Sequence, residues 1–160
     1  ETYATILAYL AVSDPNASFA NQVFHNATTQ LSLEPEWKVY FALWLRIIAS
    51  RTGAALDGGV REVFADLAQG KGWWARLAQH GSDQLAFEAL LDAAMGLGQR
   101  TEAYFYEGVR RLRVQDIAGA REMFEHVVQS NMVNFYEFAM AQQFIAQTSP
   151  PPMPPAVHTP

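Results

Sequence analysis

The sequence predicts an all-α fold of stacked helix–turn–helix units, about four of them, followed by a closing helix. Three observations predict it. No proline occurs between Pro35 and Pro150, which suits a helical region. Apolar residues recur there at steps of three and four, as in Ile117, Ala120, Phe124 and Val127. The trio Ala120, Phe124, Val127 returns as Ala86, Leu90, Ala93, 34 residues earlier. It returns again as Val60, Phe64, Leu67 and as Ala20, Phe24, Ala27.

Each unit has the same order. An apolar helix comes first, then a turn-like cluster, then the helix that carries the trio. The first helices are expected over residues 3–12, 36–51, 72–79 and 101–114. The clusters are "SDPNAS", "GAALDGG", "HGSD" and "RVQD". Unit two has the longest turn and unit three the shortest first helix. Asp116 is placed to cap the helix that follows it. A last helix over 133–147 carries Phe135, Tyr136, Phe138, Phe144 and Ile145. It is more aromatic than a soluble cap needs, which points to packing against another chain. The helical domain therefore spans 1–147. Six of the eight prolines lie after residue 149, so 148–160 reads as an extended or disordered tail.

Residues 101–134 carry a finer pattern. Tyr104 is the large residue early in the first helix, and Gly108 the small residue where the helices cross. Asp116 is the turn acid, and Ala120, Phe124 and Val127 fill the second helix. This resembles the tetratricopeptide repeat. The departures are Glu107 and Arg111 where that family prefers leucine and tyrosine, Gln115 for the turn glycine, and Met132 for the terminal proline. The earlier units rest mainly on their second-helix trios. The order "WKVYFALWLRIIASRTG", "GWWARLAQHGSDQLAFEALLDAA", "TEAYFYEGVRRL", "NFYEFAMAQQFI" is similar to a bacterial subgroup of these repeats. That subgroup includes periplasmic lipoprotein adaptors that bring proteases and cell-wall hydrolases together. The compartment stays unknown from the residues, with periplasm slightly favoured by the resemblance.

The resemblance implies a right-handed superhelix whose concave, first-helix face binds a peptide. Carried over, the partner-binding positions are Glu102, Phe105, Tyr106, Val109, Leu112 and Arg113. In unit two they are Lys38, Val39, Ala42, Leu45 and Arg46. Phe105 and Tyr106 beside Arg113 would suit an apolar anchor next to a carboxylate. The plainer alternative makes both rings core and Arg113 a solvated charge. A clamp for a terminal carboxylate is disfavoured, because Ala42 stands where asparagine is required and unit one offers Thr5 and Tyr9.

Composition narrows the function. A chain of 160 residues fits one domain with a sizeable core. Its net charge of −5 disfavours nucleic-acid binding. It holds no cysteine, and no apolar run long enough to span a bilayer. The start at Glu1 suggests a processed chain or an excised piece. Arg100, Arg110, Arg111, Arg113 and Arg121 alternate with acids, which reads as a salt-linked surface. Of Trp73 and Trp74, one is expected inside and the other at the rim. The tail reads as a linker or terminus before it reads as a ligand for an aromatic groove. Two glycosylation-type patterns, at Asn16 and Asn26, are expected to stay unmodified unless the source is eukaryotic and secreted.

No catalytic constellation appears. The four histidines are isolated, and there is no phosphate-cradling glycine loop and no nucleophile elbow. His80 is the best lone candidate for chemistry. It is expected instead to end a helix, with Ser82 or Asp83 capping the next. The expectation is a non-enzymatic adaptor, without metal or cofactor, that binds a protein or peptide partner. Its partner-binding residues would be Lys38, Arg46, Glu102, Phe105, Tyr106, Val109 and Arg113. The alternative is a structural module that forms homo-oligomers through its repeats and aromatic last helix.

Overall fold

The apolar steps of three and four become nine helices in the computed structural model, which describes residues 2–30 and 32–149. They are α1 (Thr2–Val12), α2 (Ala17–Gln30), α3 (Pro35–Thr52), α4 (Gly58–Leu67) and α5 (Trp73–Gly81). Then come α6 (Phe87–Asp92), α7 (Leu97–Arg113), α8 (Ile117–Gln129) and α9 (Tyr136–Thr148). No strand occurs among the described residues, and no helix there is long and apolar enough to cross a membrane. From residue 150 on, the proline-rich tail lies outside the described residues.

The helix ends follow local chemistry. Pro35 opens α3, where its missing N–H costs nothing, and Gly53 closes it at φ 70°. Asp57 caps α4 by accepting from the Gly59 N–H at 2.8 Å. Asp116 caps α8 as expected, accepting from the Gly119 N–H at 3.0 Å. Three turns use a left-handed residue that is not glycine: Asp83 (φ 62°), Gln115 (φ 65°) and Asn131 (φ 55°). Gln115 therefore holds the strained conformation that the turn glycine of the resembled pattern would hold freely.

Unit three departs from the expectation. Only Leu90 of its trio is fully buried. Ala86 is the N-cap and Ala93 the C-cap of α6, which is only six residues long. Neither Ser82 nor Asp83 caps it. The Ser82 hydroxyl donates back to the Ala78 carbonyl at 2.8 Å, and Asp83 is taken by two arginines.

The other trios pack as their spacing requires, except that Leu67 is only half-buried against the core. Ala20, Phe24, Ala27, Val60, Phe64, Ala120, Phe124 and Val127 are all in the core. Gly108 explains one close approach. A Cβ there would stand 2.7 Å from Cε1 of Phe124, so only a bare backbone lets that ring seat against α7.

The helix pairs form two layers. α1, α3, α5, α7 and α9 each touch the next, and α9 packs on α1. The five thus form an inner ring. α2, α4, α6 and α8 lie outside it, each against two inner helices. The inner helices are parallel, because contacts keep register along them. Tyr40 meets Glu102 and Trp44 meets Tyr106. Trp73 meets Glu102 near the start of α5, and Asp83, just past its end, meets Arg113. At the seam, Thr5 and Tyr136 share a hydrogen bond of 3.3 Å at one end. At the other, Gln147 Nε2 donates to the Val12 carbonyl at 2.7 Å. Arg51 ties in from α3, donating to the Ala11 carbonyl and to Gln147.

Two aromatics of α9 pack on neighbouring helices α8 and α3. Phe144 stacks on Phe124, with ring centroids 5.1 Å apart, and Tyr136 sits edge-on to Trp44 at 5.4 Å.

Candidate functional site

Parallel inner helices give the ring two chemically different ends. At the end where they begin lie Glu36 and Trp37 of α3, Glu102 of α7, and Tyr136 and Glu137 of α9. At the end where they finish lie Arg46 and Arg51 of α3 and Arg110 and Arg113 of α7.

The first end holds an open pocket of about 260 Å³. Its walls are Trp37, Tyr40, Trp44, Phe135 and Tyr136, and its acids are Glu36, Glu102 and Glu137. Glu102 and Glu137 are 7 % and 5 % exposed. No ion pair to any of the three acids occurs among the described residues.

Neutral donors hold the two buried carboxylates. The Tyr40 hydroxyl donates to Glu102 Oε1 at 2.6 Å, and the Trp73 indole N–H to Glu102 Oε2. The Tyr106 hydroxyl donates to Glu137 Oε1 at 2.7 Å and accepts from the Trp44 indole at 3.2 Å. Burial, with the nearby Glu137 charge, pushes the Glu102 carboxyl up to about 7, although the bonds from Tyr40 and Trp73 pull it down. Burial raises Glu137 as well, against the Tyr106 hydrogen bond. Burial and the neighbouring carboxylates raise both tyrosines, so their hydroxyls remain donors. Burial thus favours the protonated forms of both carboxyls, and neutral donors rather than cations hold them. Chemically the pocket can accept hydrogen bonds, hold a positive group, and exchange a proton near neutral pH.

The second end holds an open pocket of about 370 Å³ lined by Arg51, Leu112, Gln115, Phe144 and Gln147, and a small cavity near it. Arg46, Tyr106, Val109 and Arg113 of the expected site surround the small cavity, of about 30 Å³, with His80 and Arg110. That is room for a water or two. Asp83 joins Arg46 at 2.7 Å and Arg113 at 2.5 Å, clamping α3 to α7. Phe105 and Tyr106 are buried in the core, so neither presents a ring on a surface. Phe105 packs between Tyr106, Phe124 and Phe144. Lys38 is half-buried on α3. Of the seven expected residues, only Glu102 lines the open acidic pocket.

The expected salt-linked surface is present around α7 and α8. Arg110 and Arg111 both grip Glu107, at 2.7 and 2.8 Å, and Arg121 pairs with Glu125 at 3.0 Å. Glu107 itself is buried, at a position where the resembled repeat family prefers leucine. Burial alone would raise its carboxyl, but the two arginines hold it below its ordinary value. His80 is also buried. Nδ1 lies 3.0 Å from the Leu85 carbonyl and Nε2 3.6 Å from Glu107. Burial pushes its imidazole below the usual value, against the pull of Leu85 and Glu107. Trp73 and Trp74 are both half-buried, Trp73 reaching Glu102 and Trp74 lying over Gly70.

The sequence reading missed Glu36, Trp37, Trp44, Tyr136 and Glu137. A signal was present. Glutamates 102 and 137 stand about one repeat apart, and 36 and 102 about two, each early in an inner helix. No three-acid or histidine grouping fit to hold a metal ion occurs among the described residues. No family model, curated protein or solved structure matches this chain.

Proposed function

We propose that the chain is a non-enzymatic interaction module, an adaptor of tetratricopeptide-like helix pairs. It holds a protein or peptide partner at the end of the ring where the inner helices begin. The observation that carries this is the open acidic pocket there. Trp37 is 38 % exposed at the pocket wall. Met95 and Leu97, at the start of α7, and Val133, just before α9, are 93 %, 56 % and 59 % exposed. Exposed apolar side chains at the same end of the helices as a concave polar site are the usual dress of an interface. The order of helix contacts, each inner helix against the next and each outer one bridging two, supports the repeat reading.

The test is crosslinking with mass spectrometry from the native source, on wild type and on Trp37→Ala and Val133→Asp. The expected result is a partner crosslinked beside residues 37 and 133 and lost from both variants, with the helical signal intact. A partner that crosslinks elsewhere and survives both changes overturns the proposal. Recovery of the chain alone, crosslinked through residues 133–147, would favour self-assembly.

A further inference from the structure

The pocket has a chemistry that selects what enters it. Three carboxylates face one cavity, two of them more than nine-tenths buried, and no cation of the described chain meets them. Buried charges are normally paired. Here neutral hydrogen-bond donors and a favoured protonated form take the place of a cation, so an entering cation displaces a proton. The walls agree. Trp37 and Tyr40 stand edge to face at 5.9 Å, and Tyr40 stacks along Trp44 at 6.4 Å. Tyr136 closes the far side against Trp44. Aromatic faces attract a cation through the ring quadrupole, tryptophan most strongly. A volume of about 260 Å³ exceeds a bare metal ion and suits a side chain with its head group.

We propose that this pocket receives a basic side chain of the partner, its ammonium or guanidinium head held by Glu36, Glu102 and Glu137 between the tryptophan and tyrosine rings. The inference rests on the mouth of the ring being the docking site. Loading is an exchange. The groups facing Glu102 are Glu36 and Tyr40 of α3, Trp73 of α5, Tyr106 of α7 and Glu137 of α9. With no cation among them, Glu102 is about half protonated near neutral pH, and an arriving cation releases that proton to solvent. Binding therefore tightens as pH rises from 6 to 8.

The probes are n-butylammonium and n-butylguanidinium, with n-butanol as the neutral isostere, titrated against tryptophan fluorescence. Both cations are expected to saturate and butanol not to. Glu36→Gln removes one charge at the exposed side of the pocket and leaves the core untouched. It should weaken both cations about five-fold at low salt, the size of one charge contact in water. Glu102→Gln should weaken them further and flatten the rise with pH, leaving only what Glu137 contributes. Equal binding of butanol, no saturable binding of either cation, or unchanged affinity in Glu36→Gln overturns the inference. Because no partner protein takes part, such a failure leaves the docking-site reading to its own crosslinking test. A preference between the two cations assigns lysine or arginine.

Discussion

Replacing Glu102 by glutamine should change how the stability of the fold depends on pH. The carboxyl sits at about 7 in the native state, against 4.5 when solvated. Its native value is raised, so the folded protein favours the protonated form. The corresponding stability is fully present below about 4.5 and is lost as pH rises through 7. The difference corresponds to about 3 kcal/mol, at about 1.4 kcal/mol per pH unit. Glu137 works in the same direction. His80 works in the opposite one, since its lowered value costs stability as pH falls below its ordinary 6.5. The difference between wild type and Glu102→Gln isolates the Glu102 contribution. Glutamine keeps an acceptor for Tyr40 but turns an amide toward Trp73, a pH-independent offset of about 1–3 kcal/mol. Urea unfolding at intervals from pH 4.5 to 8.5 reads both curves. The wild type should lose about 3 kcal/mol relative to the variant across that range. Parallel curves would refute the reasoning, because they would mean that Glu102 ionises as easily inside the ring as in water.

Two further outcomes test the packing. Gly108→Ala drives a methyl group into the Phe124 ring and should cost about 1–3 kcal/mol, seen as a lower urea midpoint with an unchanged slope. Gln115→Gly relieves the left-handed conformation at φ 65° and should gain up to about 1 kcal/mol in the same assay. A loss there would mean that the Gln115 side chain holds the turn in place.

Some of this was legible in the residues. Asp116 capped where it was placed, because a cap needs only its own neighbours. Gly108 and Phe124 met because the spacing of one helix pair brings them together. Unit three was harder, since an alanine-rich trio packs so little that six helical residues satisfy it. The acidic pocket was hidden for another reason. Tyr40 and Glu102 are 62 residues apart, and Tyr136 belongs to the wall only because α9 folds back onto α1. No local pattern announces a ring closure. Glu107 was visible as an oddity, an acid at an apolar position with arginines three and four residues on, and that pattern fits a buried, doubly gripped carboxylate.

The seam between α1 and α9 has a consequence for how this chain can change. A stack of repeats with two free ends lengthens or shortens one unit at a time, and each added pair simply extends the row. A ring cannot. Inserting one more pair would pull Gln147 away from Val12 and Tyr136 away from Thr5, and removing one would leave Arg51 nothing to bridge. The number of units is therefore fixed by geometry. Duplication, the easiest route by which repeat proteins acquire new surface, is closed to this one, and novelty has to come from substitutions around a mouth of constant size.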